Sequence, residues 1–150
     1  MKEIKLIKRQ IPQGAEEAII IEYIEWTEDL EDICGYIEGK GSQIVGYGEN
    51  KKIYPIKVDD ILYFEAVGEL VFAYTKTCMY EIKMRLYQIE GKVKHNNILR
   101  VSKSFLINVK KIEMVRPILN GRYMATMING EEVLISRHYA KEVTEAIKLA

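Results

Sequence analysis

Two short polar clusters hold the side chains best suited to chemistry. Ser102-Lys103-Ser104 interrupts an otherwise apolar run, between Leu99-Arg100-Val101 and Phe105-Leu106-Ile107. Ser136-Arg137-His138 stands where the last helical pattern begins. A buried strand has no use for Ser-Lys-Ser at its end. Two hydroxyls around a lysine can bond phosphate oxygens or base edges, and lysine can reach guanine O6 and N7. Arg137 and His138 sit at a helix start, where backbone N–H groups also favour phosphate. A cation there is mildly unfavourable for the helix dipole, which argues for another use. The plain alternatives are a surface lysine at 103 and a helix-start histidine packed on Tyr139.

Other chemistries lack their residues. His95 and His138 are the only histidines, and no H-x-x-x-H or H-E-x-x-H occurs, so no metal or zinc enzyme is expected. Gly39-Lys40-Gly41-Ser42 resembles the end of a phosphate loop, but it follows a helical pattern and lacks the upstream glycine; it reads as a helix stop. No G-x-G-x-x-G or G-x-S-x-G is present. Asp59-Asp60 are adjacent carboxylates that point apart, which suits a turn better than acid–base work. The expectation is a protein that is not an enzyme, with no cofactor and no small-molecule substrate.

The elements that must hold these clusters are mostly strands. Residues 3–7 and 18–24 alternate or run apolar, with Pro12-Gln13-Gly14 between them. Thr27 can cap a helix whose first turn carries Glu28 and Asp29, and Leu30, Ile33, Cys34 and Ile37 share one face. Gly39 or Gly41 ends it, and residues 43–47 return as a strand. Residues 1–47 thus read β-β-α-β, too few for an independent core. Strands follow at 52–56, 61–66, 70–75 and 79–82, then a helix near 84–91 and the strand before Ser102. Asn120-Gly121 joins strands 114–119 and 122–128, and residues 129–132 turn into strand 133–135; Asn-Gly tolerates the positive φ of tight hairpins. Ser136 can cap a final helix over 137–149. Asn108 is expected to cap a turn rather than meet a ligand.

Length fits one domain or one with a small extension, and the 48% apolar, 29% charged composition is that of a globular chain with a core. The N-terminus has no apolar core of a signal peptide, so the cytoplasm is the expected compartment and Cys34 and Cys78 are expected to be reduced and idle. Net charge is zero, but its distribution is uneven. Residues 14–38 hold nine acids and no Lys or Arg, whereas residues 83–122 hold ten bases against two acids, a net +8. Such a block is either a nucleic-acid face or a solvated face balanced across the fold.

The residues 61–66 (ILYFEA), 99–112 (LRVSKSFLINVKKI), Asn120-Gly121-Arg122-Tyr123, Asn129-Gly130-Glu131 and residues 135–139 (ISRHY) resemble, in order and spacing, the LytTR DNA-binding domain of bacterial LytR/AlgR-type response regulators. The resemblance covers about residues 44–148. It implies a β-rich α+β fold, a compact arrangement of small antiparallel sheets with a C-terminal helix, here preceded by the small β-β-α-β unit. It also implies a cytoplasmic transcriptional regulator that reads double-stranded DNA as a dimer, through loops in successive major grooves. By that resemblance Ser102, Lys103 and Ser104 form one contact point and Arg137 with His138 another. Arg122, Arg100, Lys110 and Lys111 are expected at phosphates. The third contact region matches residues 67–70, where Glu69 is repulsive to phosphate. Residues 1–43 are too short for a receiver domain. The division expected is an extension over 1–43, for dimerisation or a partner, and a DNA-binding domain over 44–150. Related stand-alone proteins often neighbour a small membrane protein, which the resemblance offers as a partner. The competing reading is an interaction or dimerisation module on the same β core with weak or lost DNA binding.

Overall fold

The computed structural model describes residues 4–37, 42–93 and 96–149. The chain runs α1 (Glu28–Ile37), β1 (Gln43–Tyr47), β2 (Ile53–Lys57), β3 (Ile61–Val67), β4 (Leu70–Thr75), β5 (Met79–Ile82) and α2 (Leu86–Val93). It continues through β6 (Ile98–Arg100), β7 (Phe105–Asn108), β8 (Ile112–Pro117), β9 (Tyr123–Met127), β10 (Glu132–Ile135) and α3 (Arg137–Leu149). All strand pairs are antiparallel. One sheet has the order β2-β1-β5-β4-β3-β7-β6 and the other β10-β9-β8.

The expected β-rich α+β arrangement with a C-terminal helix is therefore present. Its core has two parts because β3 is buried on both faces. Ile61 and Phe64 join Leu106, Ile82 and the α2 residues Leu86, Ile89 and Val93. Leu62 and Tyr63 face the other way, onto Ile107, Ala125, Met127, Ile135 and the α3 residues Ala140 and Val143. Strict alternation would not put Ile61 and Phe64 together. A bulge between Ile61 and Tyr63 inserts the extra residue that resets the phase. In the seven-stranded sheet β3 and β7 thus form a wall between the two clusters, with α2 on one face and the three-stranded sheet and α3 on the other.

The hairpins form where expected. Asn120 and Gly121 take φ of 66° and 72° between β8 and β9, and Gly130 takes 87° between β9 and β10. Asp59-Asp60 lies in a short 3-10 turn, Val58–Asp60. Thr27 caps α1: its Oγ1 accepts from Leu30 N at 3.3 Å.

Residues 4–27 correct the expectation. Residues 4–27 contain no strand, so the strands expected over 3–7 and 18–24 do not form among the described residues. An apolar alternation becomes a strand only when a neighbour completes its ladder. Here Leu6, Ile20 and Ile24 are 80%, 81% and 93% exposed, and no strand of either sheet lies beside them. The β-β-α-β unit reduces to α1 followed by β1, and β1 belongs to the main sheet, with Ile44 in its core. The apolar face of α1 is real in spacing but has no buried residue. Residue 3 and the helix stop at Gly39 or Gly41 lie outside the described residues.

Candidate nucleic-acid interface

The loop between β6 and β7 is built on an apolar floor. Val101 is fully buried and its N–H donates to Phe105 O at 3.1 Å, which closes the loop over residues 102–104. Inside it Ser102 Oγ accepts from Ser104 N at 3.3 Å. The Lys103 side chain stands exposed at the apex.

Two backbone bonds join this loop to its neighbours. Ala66 N donates to Ser104 O at 2.8 Å, which brings in the end of β3 and the β3–β4 turn. Ser136 N donates to Val101 O at 2.8 Å, which brings in the start of α3. Arg137 and His138 are exposed there. The β8–β9 turn packs beside them: a Cβ at Gly121 would lie 3.2 Å from Arg137 Cγ, so the absent side chain leaves room for the arginine stem. The structure therefore assembles Ser102, Lys103, Ser104, Arg122, Arg137 and His138 at one end of the sheets. His138 is exposed and also packs edge-on against Tyr139, with ring centres 4.8 Å apart.

Other expected contacts are placed differently. Arg122 Nε donates to Leu119 O at 3.1 Å, within its own turn. Arg100 is at the right end, but its guanidinium is turned inward: Nη1 donates to Lys103 O at 2.9 Å and Nε lies 3.4 Å from Glu90 Oε1. Lys110 and Lys111 belong to the far end. They follow Asn108, whose Nδ2 donates to Ile61 O at the start of β3. Ile61 and Ala66 are five residues apart, on the order of 15 Å along a strand. Asn108 is the turn cap expected of it, accepting from Lys110 N at 3.1 Å.

The turn over residues 67–70 is exposed throughout, with Gly68 at φ 60°. In the sequence Lys83 and Arg85 stand out only as part of the basic block. The register Val71↔Ile82 brings them out beside this turn, and both line one surface depression with Glu69 and Leu70. Strand pairing, which no local motif reports, was the missing signal. Lys83 Nζ sits 4.2 Å from the Tyr47 ring centre.

Behind the loop, Tyr74 Oη donates to Glu65 Oε2 at 3.1 Å and stacks on Tyr63. Burial first, and then the Glu65 carboxylate, push the Tyr74 hydroxyl up to about 12, so it stays a donor. Burial and then Glu131 raise Tyr63. Cys34 and Cys78 are free, and Cys78 is exposed at the β4–β5 turn, where hydrogen bonds from Thr77 and then Tyr80 lower its thiol. Among the described residues no cluster of His, Cys, Asp or Glu could hold a metal, and no helix is long and apolar enough to cross a membrane.

Known proteins similar to this chain include a family, two curated relatives and a solved structure. The LytTr DNA-binding domain family model matches residues 51–148. A Staphylococcus aureus (strain NCTC 8325 / PS 47) protein named as an uncharacterized HTH-type transcriptional regulator is 29% identical over 110 residues, 73% of this chain and 74% of that protein. A counterpart with the same printed description from strain MRSA252 is 28% identical over the same length. A solved LytTr DNA-binding domain from Bacillus cereus superposes with a TM-score of 0.66 at 22% identity, covering 71% of this chain and 96% of that one.

Proposed function

The chain belongs to the LytTR DNA-binding domain family, and from that premise we propose that it is a sequence-specific transcriptional regulator that reads double-stranded DNA with loops in the major groove. One observation carries this reading. The bond from Ser136 N to Val101 O holds Lys103 and Arg137, two exposed cations from distant parts of the chain, at one end of the molecule. Helices α1, α2 and α3 are each separated by dozens of residues, so no two of them form a helix-turn-helix pair among the described residues. The loops are what this end has to offer a groove. Lys103 and Arg137 read bases; Arg122 lends charge to the phosphates.

Selection of bound duplexes from a random DNA pool tests the reading. The expected result is an enriched motif whose affinity falls linearly with salt on a logarithmic plot, with a slope near −0.9 per phosphate neutralised. Absence of any enriched motif overturns it.

The second part of the proposal concerns residues 1–43 as an extension that pairs two copies, leaving 44–150 as the DNA-binding domain. Its support is the exposed apolar set Leu6, Ile20, Ile24, Ile33 and Ile37, more than a solvated segment usually leaves in water. Ile33→Lys with Ile37→Lys in the full chain is expected to convert a dimer to a monomer by light scattering. A dimer that survives both substitutions refutes this surface. A regulator of this kind works where the chromosome is, the cytoplasm of a bacterium.

A further inference from the structure

We infer that Arg100 is not a phosphate contact but a positioning residue, which with Glu90 of α2 sets the height and direction of the Lys103 loop. This rests on the DNA-reading role proposed above and concerns how that loop is held. The Arg100 side chain is only 17% exposed, against 41% for Glu90. Its fork is occupied on two sides: Nη1 by the Lys103 carbonyl at 2.9 Å, Nε by the Glu90 carboxylate at 3.4 Å.

The geometry gives the pair a specific task. The loop over 102–104 is closed at its base by Val101 N to Phe105 O, and tied at its C-terminal side by Ser104 O to Ala66 N. Its apex carbonyl, at Lys103, is the group the base bonds do not reach. A planar guanidinium that donates to a carbonyl while held by a carboxylate is a rigid strut, since its donors keep a fixed fork. Glu90 sits on the helix anchored by buried Leu86, Ile89 and Val93, so the strut refers the loop to the main core. Lysine at 100 would keep the charge but lose the fork.

The two roles predict opposite signs at Glu90. If Arg100 met phosphate, Glu90 would be a nearby repulsive acid, and Glu90→Gln would strengthen DNA binding. If Arg100 is a strut, Glu90→Gln loosens it and the enriched duplex loses affinity while a scrambled duplex of equal length does not. The full chain is titrated with both duplexes over a range of salt. For Arg100→Lys and Glu90→Gln the expected result is a drop of about tenfold in the enriched-to-scrambled affinity ratio, with the salt slope unchanged. The double variant is expected to fall no further than the worse single variant, because both remove one strut. Arg100→Gln serves as a check on the slope, and a loss of about one in that slope would mark a phosphate contact and overturn the inference. Tighter binding by Glu90→Gln, or an unchanged ratio in both single variants, overturns it as well. These outcomes are read only against a wild-type motif, so failure to enrich any motif is a separate result that removes the DNA reading itself.

Discussion

Replacing Lys103 by alanine is expected to weaken binding to the selected duplex by about 1–3 kcal/mol, and Arg137→Ala by a similar amount. Both side chains are exposed at the same end of the fold, and neither backbone segment depends on them: the loop is closed by Val101 and Phe105, and α3 is seated by Ala140 and Val143. Loss of either side chain therefore removes a contact without removing its platform. Because Ser136 N to Val101 O couples the platforms rather than the side chains, the two losses should add to within a few tenths of a kcal/mol. A cation that touches only phosphate would weaken enriched and scrambled duplexes alike. A base reader lowers the ratio between them and relaxes the motif at one position. Titration of both variants against both duplexes, followed by a second round of selection with each variant, separates these cases. Unchanged affinity in both variants would remove Lys103 and Arg137 from the interface. Lys110→Ala is the internal control: at the far end of β7 it is expected to leave the ratio untouched.

What could be read in the sequence divides along a physical line. Local backbone demands were legible. Asn120-Gly121 and Gly130 stand where positive φ is needed, and Thr27 and Asn108 cap what they were expected to cap. Reading of partners was not legible. Residues 18–24 have the composition of a strand, but composition says nothing of a second strand, and none is beside them. The bulge in β3 was hidden because four successive buried residues look the same whichever sheet they face. In the candidate site, residue type in a polar break marks Lys103 and Arg137, and both are exposed at one end of the fold. Arg100 looks like a free cation in the sequence, which does not show where a guanidinium folds back on its own loop. Lys110 and Lys111 are near the loop in the chain, yet the length of β7 separates them from it in space.

The largest stability effect outside the apolar core is expected at Asn108, the one buried polar residue among those described, at 2% exposure. Its side chain serves two groups. Nδ2 donates to Ile61 O at 2.9 Å, and Oδ1 accepts from Lys110 N at 3.1 Å. The first bond is needed because the β3–β7 register starts at Tyr63, leaving the Ile61 carbonyl beyond the ladder on that side. The second opens the 3-10 turn Val109–Lys111, which redirects the chain from β7 into β8 and so from one sheet to the other. Asn108→Ala strands an acceptor and a donor at the junction of the two core clusters. Each unpaired group costs roughly 1–3 kcal/mol, so the total loss is expected at about 2–6 kcal/mol. Asn108→Asp keeps the acceptor for Lys110 N but sets an oxygen against the Ile61 carbonyl, so it should recover little. Urea unfolding measures both. A DNA-contact role would instead leave the unfolding midpoint in place and lower affinity for the enriched duplex. Since Asn108 lies at the end of β7 away from Lys103, the expected pattern is the reverse: a lower midpoint, and unchanged affinity per folded molecule. A loss of unfolding free energy below about 0.5 kcal/mol, within the range of ordinary surface changes, would show that water or backbone adjustment replaces both bonds and that the junction does not depend on this side chain.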